Sequence, residues 1–168
     1  MTMKLPQLKS FAIFIIAACA HIHWAIAQNN TLKEPKTACL SAKNIKAPQL
    51  YGIWQVTFIS PPAGLPNTAV MLLERHAEFS DSLAGIVSRN NVTAKSHSAK
   101  AALAGDVEDG TVILDESSNN ISITGTWNAE LVEGSCGQQI KGVWKDTSAS
   151  APPDAPDVPF TMVRRPGW

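Results

Sequence analysis

The sequence is poor in the residues that most often carry chemistry. Its 168 residues include one tyrosine, three cysteines and four histidines, and only 17% are charged. No serine sits in a Gly-x-Ser-x-Gly elbow. Basic and acidic residues both number 14, so no excess of positive charge points to a nucleic-acid partner. No apolar run reaches the roughly 20 residues that a transmembrane helix needs. After Gln28 no window of about 11 residues or more repeats its apolar positions every 3.6 residues, which excludes a helical bundle.

The titratable residues that remain are scattered. Asp106 with Glu108 and Asp115 with Glu116 are the nearest thing to acid–base pairs, but they flank predicted turns and read as solvated charge. His76 and His97 lie 21 residues apart with no cysteine or carboxylate at ligand spacing, so they read as exposed histidines and no metal site is expected. Neither a catalytic constellation nor a cofactor motif is visible, and an enzyme is not expected.

What is present begins with a targeting segment. Lys4 and Lys9 precede an apolar run over 11–20, and Ala25-Ile26-Ala27 offers a small-x-small cleavage site before Gln28. Residues 1–27 therefore read as a signal peptide and the protein as periplasmic or secreted. Ile16-Ala17-Ala18-Cys19 also resembles a bacterial lipobox, which would anchor the chain through a lipid on Cys19. The apolar continuation to Ala27 favours free export. Cleavage would remove Lys4 and Lys9 from the 14 basic residues and leave 14 acidic ones, a net charge of −2. Cys39 and Cys136 then remain as an even pair in an oxidising compartment and are expected to form a disulfide. Closing so long a loop stabilises a fold by about 4 to 5 kcal/mol in the chain-entropy account. Asn29, Asn91 and Asn120 open glycosylation sequons that would matter only in a eukaryotic secretory pathway.

Residues 28–49 are polar and patternless and read as an arm pinned by Cys39, with the ordered domain occupying 50–168. From there apolar residues alternate with polar ones in short runs, the period of a half-buried strand. Strands are predicted at 51–58, 69–75, 83–89, 99–107, 111–116, 121–130, 138–145 and 158–164. The clearest alternation sets Ile121, Ile123, Gly125, Trp127 and Ala129 inward. Prolines make 61–66 a loop, Asp109-Gly110 a hairpin turn, and 146–157 a mobile loop too poor in apolar surface to order itself. Eight strands with short links predict an all-β, eight-stranded antiparallel up-and-down barrel, with a β-sandwich as the alternative. Inward glycines at 52, 125 and 142 favour the bending that closure requires.

The chain repeats glycine two residues before tryptophan three times: Gly52-Ile53-Trp54, Gly125-Thr126-Trp127 and Gly142-Val143-Trp144. A Gly-x-Trp in the first strand and an arginine late in the last, here Gly52, Trp54 and Arg164, resembles the pattern of lipocalins and, more loosely, avidins. The parity of Arg165 makes it a poorer match. The resemblance implies a structural role for these three residues, with the arginine packed over the first-strand indole in a cation–π contact. It does not imply biotin, because the polar residues that avidins set around it are not at recognisable positions. Nor does it extend to the central Thr-Asp-Tyr element of many lipocalins. Small bacterial lysozyme inhibitors are also exported disulfide-linked barrels, but their tyrosine-containing motifs have no match where Tyr51 stands alone.

Two functional expectations follow. Trp127 and Trp144, with room beside Gly125 and Gly142, could line an interior pocket for a small apolar or aromatic molecule. Alternatively they fill the core, and the protein acts as a protein-binding module, such as an inhibitor of an exported enzyme, through the loops 61–66 and 146–157.

Overall fold

The computed structural model describes residues 39–90 and 99–167. The signal segment, Cys19, most of the N-terminal arm, His97, Asn29 and Asn91 lie outside the described residues. Eight antiparallel strands close a barrel in unbroken chain order: β1 (Gly52–Phe58), β2 (Thr68–Arg75), β3 (Leu83–Arg89), β4 (Lys100–Glu108), β5 (Thr111–Ser117), β6 (Gly125–Leu131), β7 (Gln139–Asp146) and β8 (Val158–Arg164), which pairs back onto β1. Each strand follows its alternation, and the fold is a barrel rather than two facing sheets. Inward positions supply a continuous core that includes Trp54, Val56 and Phe58 of β1, Met71 and Leu73 of β2, Leu114 of β5, Trp127 of β6, Ile140 and Trp144 of β7, and Phe160 of β8.

The two ends of the barrel are covered differently. A 3-10 turn (Ala42–Asn44) and a single α-helical turn, α1 (Ala47–Leu50), lie at the end where β1 begins. They bury Ile45, Ala47 and Leu50 in the core, so chain that reads as a patternless arm is part of the packed fold. Both pieces are too short to show a helical period, which is why the sequence conceals them. A disulfide joins Cys39 to Cys136 in the β6–β7 turn at this end, two positions 97 residues apart in sequence. The opposite end carries the loops 59–67, 118–124 and 147–157.

Two local expectations are corrected. The alternation of the sixth strand does not extend back to Ile121 and Ile123: the strand starts at Gly125, and Ile121 is 89% exposed. The side-chain oxygen of Asn119 accepts the backbone N–H groups of Ile121 at 2.9 Å and Ser122 at 3.0 Å, and Asn120 has a positive φ of 57°, so a side-chain-capped turn takes the donors a strand would use. The segment 146–157, expected to be a mobile loop, holds local turns and packs in part on the core. Ala151 N–H bonds to Ser148 O and Ala155 N–H to Pro152 O, and Ala155 is buried.

Candidate functional site

At the loop end, inward parity brings two charged residues into the core. Arg89 continues the buried series Leu83, Gly85, Val87 of β3, and Glu116 continues Val112, Leu114 of β5. Each is only 3% exposed. Arg89 Nη1 donates to Glu116 Oε1 at 2.8 Å and Nη2 to Oε2 at 2.6 Å, a bidentate pair. The same Oε2 accepts the indole N–H of Trp127 at 3.0 Å and of Trp144 at 3.1 Å. The guanidinium carbon lies 5.7 Å from the Trp127 ring centre and 5.3 Å from that of Trp144, within cation–π range. Phe160 meets Trp127 edge-on at 4.9 Å, and Phe58 completes the aromatic shell.

The register explains this meeting. Trp127 stands opposite Trp144 on β6 and β7, and Glu116 opposite Gly125 on β5 and β6. A Cβ at residue 125 would lie 2.7 Å from Trp144 Nε1 and 3.3 Å from Glu116 Oε2, so this glycine clears the path between carboxylate and indole. Gly142 has a different neighbourhood: a Cβ there would lie 2.2 Å from the carbonyl oxygen of Asn128, so close do β6 and β7 run. Both tryptophans are enclosed in the core. The cluster is a carboxylate with four donors, a guanidinium neutralised by it, and two rings whose polar atoms are occupied. One polar atom of the cluster stands apart: Arg89 Nε is buried and, among the described residues, has no hydrogen-bond partner.

The reading of Glu116 as solvated charge beside Asp115 is therefore corrected. Asp115 faces solvent, while Glu116 is the anionic centre of the interior. Arg89 carried no role in the sequence reading. Its signal was parity, since both charges fall two residues beyond an inward aliphatic, one cationic and one anionic.

At the helix-capped end the residues of the lipocalin-like pattern do meet, through different contacts. Trp54 is fully buried and stands opposite Arg164 in the β1–β8 ladder. Its indole N–H donates to Leu50 O at 2.9 Å. Arg164 donates to Gln49 O at 2.9 Å and to Tyr51 O, which ties the last strand to α1. Gly52 has φ of 137°, a conformation that favours glycine where the chain turns from α1 into β1. Among the described residues the guanidinium-over-indole contacts belong to Arg89 rather than Arg164. The expected cation–π pairing of Arg164 with Trp54 is replaced by backbone capping.

Recesses on the outer surface among the described residues include the following two. A groove of about 560 Å³ runs along β6, β7 and β8, lined by Asn128, Glu130, Lys141, Val143 and Thr161, with Ile59 and Pro159 at the loop end and Gly142 in its wall. A smaller one of about 310 Å³ lies over β4 and β5, beneath Ile121 and Ile123. Trp127 and Trp144 line neither. His76 accepts the backbone N–H groups of Glu78 and Phe79 at 3.2 Å each and organises the β2–β3 turn. Among the described residues no group of three or more His, Cys, Asp or Glu is placed to hold a metal ion, and no helix is long and apolar enough to cross a membrane.

No protein-family model matches the chain, and no curated protein matches it. The closed eight-stranded meander is consistent with a calycin-like fold.

Proposed function

We propose that this is an exported, non-catalytic binding module that engages a protein partner through its outer surface at the loop end and the adjoining β6–β8 groove. The observation that carries this reading is the filling of the interior. The indole N–H groups of Trp127 and Trp144 are both spent on Glu116, the rings pack on Phe58, Phe160 and Arg89, and Leu65 and Ala155 from two loops are buried above. An eight-stranded barrel is about wide enough to be filled by its own side chains. The exposed surface is continuous where the loops meet the groove. Ile59 N–H bonds to Pro159 O at 2.8 Å, which joins the feet of loops 59–67 and 147–157, and both residues line the groove.

The test is cross-linking capture from the exporting host, comparing the wild type with Val143→Arg/Thr161→Arg, two outward positions in the groove. A partner held by the wild type and lost by the variant, with both giving the same circular dichroism, supports the reading. Equal capture by both would sink it.

A second reading, a small ligand inside the barrel, is supported by Arg89 Nε, which has no hydrogen-bond partner among the described residues and could donate to an acceptor on a polar aromatic molecule. Native mass spectrometry separates the two. A defined extra mass that Trp127→Phe releases would favour the interior ligand over the surface partner.

A further inference from the structure

We propose that the recess over β4 and β5 is a binding site for a small primary amine with a compact apolar body. Its floor is made of outward positions. The register sets Ala102 opposite Ser117 and Ala104 opposite Asp115, so two methyl groups lie beside a hydroxyl and a carboxylate, and all four residues line the space. The loop 118–124 supplies the wall through Ile121 and Ile123. Small side chains at 102 and 104 keep the floor low, and a long one at either position would fill the recess.

The wall is held in place by the loop's own polar groups. Thr124 N–H donates to Glu116 O at 2.7 Å, Thr124 Oγ1 accepts Ser118 N–H at 3.2 Å, and Asn119 Nδ2 donates to Ser122 Oγ at 3.2 Å. These bonds join those that Asn119 Oδ1 accepts from the backbone of Ile121 and Ser122. The isoleucines are left facing water, Ile121 89% and Ile123 50% exposed. A loop already ordered in this way lets a ligand that covers them gain the hydrophobic contribution with little further ordering cost.

Charge chooses the head group of the ligand. Two carboxylates line the recess and they are not equivalent: Glu116 turns into the core and is paired with Arg89, whereas Asp115 is exposed and has no hydrogen bond or ion pair among the described residues. No described lysine or arginine lines the space, so an ammonium is attracted there and a carboxylate is repelled. Volume sets the size of the body. About 310 Å³ is what roughly ten water molecules occupy in the liquid, which suits a ligand of about ten non-hydrogen atoms. A lysyl side chain with its four-carbon stem would leave most of that space to water, so a free small molecule is the better occupant. This goes beyond the proposed partner surface, whose groove centres on β6–β8, and either site can fail without the other.

Titration of the full disulfide-bonded protein with phenethylamine, followed by amide nitrogen–proton NMR spectra, tests the proposal. Saturable shifts should concentrate at 102–104 and 115–123, with a dissociation constant on the order of 1 mM for one exposed ion pair and a small apolar contact. Phenethyl alcohol, the same body without the charge, should bind about threefold or more weakly, and Asp115→Asn should reduce the amine to the level of the alcohol. Ile121→Ser, at an exposed position, should weaken the amine several-fold with an unchanged thermal midpoint. Ala104→Leu should abolish amine binding and leave capture of a protein partner intact. Shifts that do not saturate up to roughly 20 mM overturn the proposal, as does equal affinity for hydrocinnamate. Tighter binding of Nα-acetyl-lysinamide would assign the recess to a lysine of a protein and overturn the free-amine reading. Shifts centred on Val143 and Thr161 would place the amine in the other groove and overturn it as well.

Discussion

The two ends of the barrel close by opposite means. At the helix-capped end an arginine and an indole spend their donors on backbone carbonyls of α1 and its flanks, so side chains tie down main chain. At the loop end an arginine and two indoles converge on one carboxylate, so side chains satisfy side chains in a dry interior. The first arrangement should tolerate the loss of Arg164, which is half-buried, so that water can reach the carbonyls it leaves. The second does not, because each member neutralises or saturates another where water cannot enter. Burial decides which polar contacts are dispensable.

That contrast can be broken most sharply at Glu116. Glu116→Leu strands the Arg89 guanidinium in the core and should cost about 3 to 5 kcal/mol in urea unfolding. Arg89→Met/Glu116→Leu should recover part of that loss, because the stranded charge is gone while the indole N–H groups of Trp127 and Trp144 still lack their acceptor. A double variant no more stable than the single one would show that the pair is not the source of the penalty. Next in size is the disulfide: Cys39→Ser/Cys136→Ser should lower stability by about 2 to 5 kcal/mol, since the bridged positions are 97 residues apart. Arg164→Met at the other end should cost only about 1 to 2 kcal/mol, at the low end for charged donors because the site is partly wet. Glu116→Gln should alter the near-ultraviolet dichroism of the tryptophans, whereas Arg164→Met should leave the Trp127 and Trp144 bands in place. An Arg164 effect as large as that of Glu116 would erase the distinction. The smallest change belongs to the exposed Lys145–Asp157 pair, 3.9 Å apart. Lys145→Ala should stay within about 0.5 kcal/mol.

Much of the barrel was legible because the period of two is a local property. Trp54, Val56 and Phe58 reveal their common face without knowledge of any partner strand, and so do Gly125 and Trp127. The reading failed where a local competitor took over from the alternation. Asn119 captured the backbone donors of Ile121 and Ser122, and the short turns at 42–50 had too few residues to show any period. It also failed at Glu116, where charge near a strand end suggested solvent although parity pointed inward, and Arg89 was given no role.

The sequence by itself determined the strands, their inward faces, the disulfide partners and the glycines before the tryptophans, because each rests on spacing along the chain. Only the tertiary structure decided that Arg89 and Glu116 form one ion pair. They are 27 residues apart on strands separated by β4, and barrel register and closure alone bring two buried charges close enough to offset the cost of leaving water.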